Sequence, residues 1–299
     1  MNTSIVKTIL TILSISNFIL ADITVQNGES IQDAIDIASD GETIFVENGT
    51  YDENLIIEKS LTIKSSTGNS DDVIISGSSG SGLYQSTALI RPASQSTTIP
   101  SVTLRDITIA DGVGTDMKNN SNGQESRLGG GVLAYNTSPV FDNIKFSNNG
   151  NSNLGAGGAI YATSDDEEWD FNDRDEEYST SDDLPEASSA ITVTGCRFED
   201  NNAMEAKSVF LSGYQEHTTR FVGNTFDVYA DELETVSNYW IRSTGTHLFF
   251  EGCEGSESAI ERSDVYVDRY EGSDHEGDES VDSPFRSVDR ALSLVITDQ

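Results

Sequence analysis

Ser101-Val-Thr-Leu-Arg-Asp-Ile-Thr-Ile109 recurs as Ser138-Pro-Val-Phe-Asp-Asn-Ile-Lys-Phe146, as Ala190-Ile-Thr-Val-Thr-Gly-Cys-Arg-Phe198, and more faintly as Thr218-Thr-Arg-Phe-Val-Gly-Asn-Thr-Phe226. Each copy holds an apolar residue, a two-residue corner, and then a short alternating run. Leu104, Phe141, Val193 and Phe221 precede the corner. Asp106, Asn143, Gly195 and Gly223 end it, and these residue types tolerate left-handed or bridge backbone angles. Alternation over so few residues marks a strand with one buried face. No copy is long enough to bury that face alone, so copies must stack into parallel sheets around a shared core. A hairpin meander would show two-residue turns between equal strands. Here the corner divides each unit unevenly, and the unit returns in the same sense after a longer loop. The expected fold is all-β: a parallel β-helix, or solenoid.

Two further stretches keep the same phase. Gly129-Gly-Gly-Val-Leu-Ala-Tyr135 and Gly155-Ala-Gly-Gly-Ala-Ile-Tyr-Ala162 predict tight bends entering strands, where a Cβ would clash. No helix pattern follows them, so neither is a nucleotide-binding loop. At the beginning of the stack, Ser30 to Asp40 predicts a short amphipathic capping helix. Ile31, Ala34, Ile35 and Ala38 lie on its apolar face, Ser30 caps its start and Gly41 ends it. Such a helix covers an open sheet edge, a structural task.

Gly157-Gly-Ala-Ile160, with Phe146-Ser-Asn-Asn149 and Phe198-Glu-Asp-Asn201, resembles the paired motifs of bacterial polymorphic outer-membrane proteins and related β-helix surface proteins. The opening is similar to pectin-lyase-type β-helices: Ile23-Thr-Val25, Ser30-Ile-Gln-Asp-Ala-Ile35, Gly41-Glu-Thr-Ile-Phe-Val46 and Gly49-Thr-Tyr51. The resemblance implies a right-handed β-helix over residues 22 to about 255 and says little about chemistry. A lyase of that kind would carry an Arg-x-Pro-x-x-Arg run, which Arg91-Pro92 does not fit, and a polygalacturonase-like enzyme would carry a Gly-His-Gly, which is absent.

Composition narrows the partners. Lys and Arg number 17 against 51 Asp and Glu, a net charge of −34. That surface repels nucleic acid and anionic lipid, and disfavours polyuronate. Residues 1–21 predict a signal peptide: Lys7, an apolar stretch from Ile9 to Leu20, and the small Ala21 before the cut. No membrane span is expected after its removal, and the expected location is secreted or cell-surface. Residues 22–260 form the predicted β-helix, with a disordered acidic insert at 164–188. Residues 261–299 echo its beginning, with Asp264-Val-Tyr-Val267 matching Asp22-Ile-Thr-Val25, and predict the start of a second β-helix domain.

Candidate sites are sparse. Tyr239 and Trp240, with Arg242 as donor, offer an aromatic platform for sugar rings; the alternative is that Trp240 packs into the core. Asp165, Asp166, Glu167 and Glu168 could hold calcium, although the insert lacks the spaced Asp/Asn ligands and glycine of a calcium loop. No motif requires a cofactor. His217, His247 and His275 show no metal-ligand spacing, and no Gly-x-Ser-x-Gly elbow occurs. Two function classes remain. One is extracellular recognition or adhesion, with an extracellular polysaccharide or cell-surface glycan as partner. The other is a secreted polysaccharide lyase or glycoside hydrolase. Cys196 and Cys253 fall in the first apolar slot after the corner, two coils apart with Asn224 between them, so both are expected as buried free thiols.

Overall fold

A computed structural model describes residues 22–79, 82–120, 122–164, 169–171, 178–179, 181, 183–185, 187, 189–214, 217–226, 241–244 and 247–255. After a first strand and the capping helix, the chain visits three sheets in a fixed cyclic order, adding one strand to each per circuit. Sheet A runs from Ile23–Val25 through Glu42–Val46, Leu61–Ser65, Val102–Arg105, Val140–Asp142, Thr192–Thr194 and Thr218–Val222 to His247–Glu251. Sheet B receives Gly49–Asp52, Val73–Ser76, Thr108–Ala110, Lys145–Ser147, Arg197–Glu199, Thr225–Phe226 and Glu254–Gly255. Sheet C receives Leu55–Ile57, Ala88–Ile90, Val132–Tyr135, Ile160–Thr163, Val209–Ser212 and Ile241–Thr244. Every pairing within these sheets is parallel, which gives a solenoid-like stack.

The sequence repeat and the register coincide. Leu104, Phe141, Val193, Phe221 and Phe250 are successive partners in sheet A. Ile109, Phe146, Phe198 and Phe226 are successive partners in sheet B. The rings of Phe146, Phe198 and Phe226 stack at 5.0 and 4.7 Å, so each coil fixes the next through a face-to-face aromatic contact. The corners adopt the left-handed conformation at Asp106, Asn143, Gly195, Gly223 and Gly252. The glycine pairs stack on one another: a Cβ on Gly130 would lie 2.3 Å from the Gly158 carbonyl oxygen, and one on Gly158 would lie 2.1 Å from that of Lys207.

The slot after the corner holds more than apolar filler. Cys196 Sγ accepts from Ile144 N–H at 3.5 Å and donates toward the Phe141 carbonyl at 3.6 Å. One coil on, Asn224 Oδ1 accepts from Cys196 N–H at 2.7 Å and its Nδ2 donates to the Val193 carbonyl at 3.0 Å. Cys253 Sγ lies 3.9 Å from Asn224 Nδ2 and 3.4 Å from the Phe221 carbonyl. The corner turns backbone groups inward, away from the sheet ladders. A thiol or carboxamide from the following coil bridges the gap. Both cysteines are free and buried, with Asn224 between them as the repeat predicts. Burial pushes the Cys196 thiol up to about 12 and raises that of Cys253.

The capping helix, Ile31–Ile37, is shorter than expected. It ends at an extended Ala38, and Gly41 instead turns the chain into the strand Glu42–Val46. Seven residues do not hold a helix in water. The coil beneath therefore grips it at both ends. Glu53 accepts from Ser30 Oγ and from the N–H groups of Ile31 and Gln32, each at 2.9 Å. Lys59 Nζ donates to the carbonyls of Ile35, Asp36 and Ala38 at 3.1, 2.7 and 3.0 Å, a cation at the negative helix end. Ile31, Ala34 and Ile35 are buried on the stack.

A four-stranded antiparallel sheet on the flank of sheet C was not expected. Gly114–Asn119 is its centre, with Glu125–Leu128, Trp169–Phe171 and Tyr84–Gln85 paired to it. It covers Leu89, Leu133, Tyr135, Tyr161 and Phe210 with Met117, Leu128 and Phe171 as a second apolar cluster. Sheet C strands such as Val132-Leu-Ala-Tyr135 are consequently buried on both faces and lose their polar alternation. Within the acidic insert, the described Trp169–Phe171 is a strand with Phe171 buried, and Ala187 is buried too, because these apolar residues find partners on the stack. Residues 1–21 and 261–299 lie outside the described residues. Among the described residues, no helix is long and apolar enough to cross a membrane.

Candidate functional site

Where the capping helix meets sheet C, a cleft of about 270 Å³ is lined by Gln32, Ile35, Asp36, Ile56, Glu58, Lys59 and Arg91. Three short segments supply it. The helix contributes Gln32, Ile35 and Asp36. The first strand of sheet C and the residues after it contribute Ile56, Glu58 and Lys59. Arg91 follows the next strand, Ala88–Ile90.

Gln32 acts as a strand would. Its Oε1 accepts from Ile56 N–H at 2.8 Å and its Nε2 donates to the Ile56 carbonyl at 3.2 Å, closing the open edge of sheet C. The same Nε2 donates to Asp36 Oδ1 at 2.8 Å. Ile56 supplies half-buried apolar surface beside these groups, Ile35 is buried behind them, Asp36 is exposed and Glu58 is half-buried.

Arg91 is the unusual member. Its side chain is 9 % exposed, and its Nε donates to Glu58 Oε1 at 2.8 Å. The guanidinium carbon lies 3.9, 4.7 and 5.1 Å from the ring centres of Tyr178, Phe171 and Tyr84. Phe171 meets both tyrosine rings edge-on. Nη1 is buried without a hydrogen-bond partner, so the ring faces are what offset its lost hydration. Tyr178 donates to the Pro92 carbonyl at 3.1 Å, and burial drives its hydroxyl pKa far above the ordinary tyrosine value, with Arg91 opposing the rise. The cage therefore fastens the acidic insert and the side sheet to the edge of the cleft.

The lining of the cleft includes none of the site residues expected from sequence. Asp165, Asp166, Glu167, Glu168, Tyr239 and Trp240 lie outside the described residues. Arg242 occupies the strand Ile241–Thr244, in register with Phe210. His217 precedes the strand Thr218–Val222, and His247 begins His247–Glu251. Among the described residues, no three His, Cys, Asp or Glu side chains gather as metal ligands would. Sequence reasoning weighed Arg91 only against a lyase motif and missed the cleft. The available signal was an arginine directly after the apolar Ala88-Leu-Ile90 in a chain poor in cations. No family model and no curated protein matches the chain.

Proposed function

We propose that the chain is a secreted or cell-surface right-handed parallel β-helix that serves extracellular recognition or adhesion, with a neutral glycan as ligand. The crossover rule supports the right hand, since about 98 % of parallel strand–crossover–strand connections have that sense. The pectin-lyase-like opening and the Asn149 and Asn201 motifs support the same fold. Asn149 Nδ2 donates to Asn201 Oδ1 at 3.0 Å, so the two motifs lie on adjacent coils. The leader-like residues 1–21 support secretion.

The cleft carries the glycan reading. It combines carboxylates that accept from hydroxyl groups, an amide, and apolar surface from the half-buried Ile56, with no imidazole or thiol among its lining. Its volume is below the roughly 300 Å³ at which pockets for drug-sized ligands begin, which suits one sugar ring or a chain end. The net charge of −34 favours neutral over anionic sugars.

Asp36 and Glu58 in one cleft are the observation that favours a glycoside hydrolase as the second reading. Against it, Glu58 is held by Arg91, and neither carboxylate has the apolar enclosure that makes a general acid. A glycan array run beside a product-release assay on the same glycans decides. The expected result is binding of a neutral glycan, weakened at least tenfold by Asp36→Asn, with no product released. Release of new reducing ends would establish the hydrolase, and binding insensitive to Asp36→Asn would remove the cleft from the proposal.

A further inference from the structure

We propose that Asn48 is an acceptor for an N-linked oligosaccharide, and that the fold refuses one at the sequence's other matching asparagines among the described residues. The acceptor pattern Asn-x-Ser/Thr occurs at Asn2, Asn48, Asn119 and Asn136. The inference rests on the secretory reading, because the donor is a lipid-pyrophosphate oligosaccharide met on the lumenal side of a secretory membrane. In the transfer, the asparagine Nδ2 forms a bond to the sugar C1, the C1–O bond to the pyrophosphate breaks, and the lipid pyrophosphate leaves. The amide proton passes to a base of the transferase.

The acceptor nitrogen must lead to solvent in the folded product. Asn136 fails that condition. It is 1 % exposed, its Oδ1 accepts from Ala187 N–H at 3.1 Å and its Nδ2 donates to the Pro185 carbonyl at 3.4 Å. Its role is to latch the end of the acidic insert, and an oligosaccharide there would displace that segment. Asn119 fails as well: it is 8 % exposed, its Oδ1 accepts from Asn122 N–H, and its backbone pairs across the side sheet with Trp169. Asn2 lies within the leader-like residues 1–21.

Asn48 meets the condition. It stands in the two-residue corner between Glu42–Val46 and Gly49–Asp52, and both Asn48 and Thr50 are exposed. Backbone contacts hold the corner: Glu47 N–H donates to the Val25 carbonyl and Gly49 N–H to that of Asp72, each at 3.0 Å. The Asn48 carboxamide itself has no hydrogen-bond partner among the described residues. The middle residue, Gly49, supplies one of those backbone anchors, so the corner is tied to its neighbours while the acceptor side chain is left to solvent. An oligosaccharide here stands next to Ile23–Val25, the outermost strand of sheet A, and as a bulky solvated group opposes edge pairing there.

The test is translation of the full chain with microsomes, in two forms: with its own residues 1–21, and with these replaced by a known cleavable signal. The expected result in both is one endoglycosidase-sensitive mobility step, abolished by Asn48→Gln and by Thr50→Ala. No step in the form driven by the known signal, or a step that survives Asn48→Gln, overturns the proposal. A step in the driven form alone supports Asn48 and refutes the leader reading instead.

Discussion

Replacing Asn224 with alanine separates two accounts of the slot after the corner. If the slot is an apolar filler position, as Ile107 and Ile144 suggest, the polar side chain is a defect and its loss costs little. The hydrogen bonds give another answer. Asn224 is fully buried, and its carboxamide is the partner of both the Cys196 N–H and the Val193 carbonyl. Alanine leaves those two backbone groups buried and unpaired, at about 1–3 kcal/mol each. The expected loss is therefore about 2–6 kcal/mol, before any cavity cost. Asn224→Cys should recover much of it, because the thiols of Cys196 and Cys253 bridge equivalent groups one coil away on either side. Urea unfolding followed by circular dichroism reads the difference. With a slope of about 3 kcal/mol per molar, the midpoint should fall by about 0.7–2 M in the alanine variant. An alanine variant as stable as the parent, or a cysteine variant as damaged as the alanine one, refutes the bridging role.

The thiols should also make stability fall in alkali. The folded state holds the Cys196 proton to about 12, while an unfolded chain releases it near 9.0. Its contribution is thus fully present below pH 9 and is lost as pH rises toward 12. At pH 11 the parent should have lost roughly 3 kcal/mol more than Cys196→Asn, which keeps the bridge and removes the titration; urea midpoints at pH 8 and pH 11 that move equally in both would exclude this. Arg91→Lys should destabilise by about 2 kcal/mol and speed proteolysis of residues 164–188, because an ammonium cannot spread over three rings as the planar guanidinium does. A variant with parental melting temperature and cleavage rate would show that the aromatic cage is not a fastener.

The stacking register was legible in the sequence because every coil needs the same local features. A corner needs Asp, Asn or Gly at a left-handed position, and the flanking runs need apolar residues at alternate places, so Leu104, Phe141, Val193, Phe221 and Phe250 could be aligned without coordinates. The capping helix was legible for a similar reason, from Ser30 and the apolar face behind it. The side sheet was not. Tyr84–Gln85 and Trp169–Phe171 both pair with Gly114–Asn119, and two- or three-residue strands carry no periodicity of their own. The polar duty of the corner slot was equally hidden, since Asn224 serves backbone groups some thirty residues away and looks like a blemish in its own unit. Likewise the cleft exists only because winding brings Asp36, Glu58 and Arg91 together. Local conformational preference wrote the repeat into the sequence; the partners that one coil supplies to another were decided by the stack, because hydrogen bonds and ring contacts depend on distance in space and leave no fixed spacing along the chain.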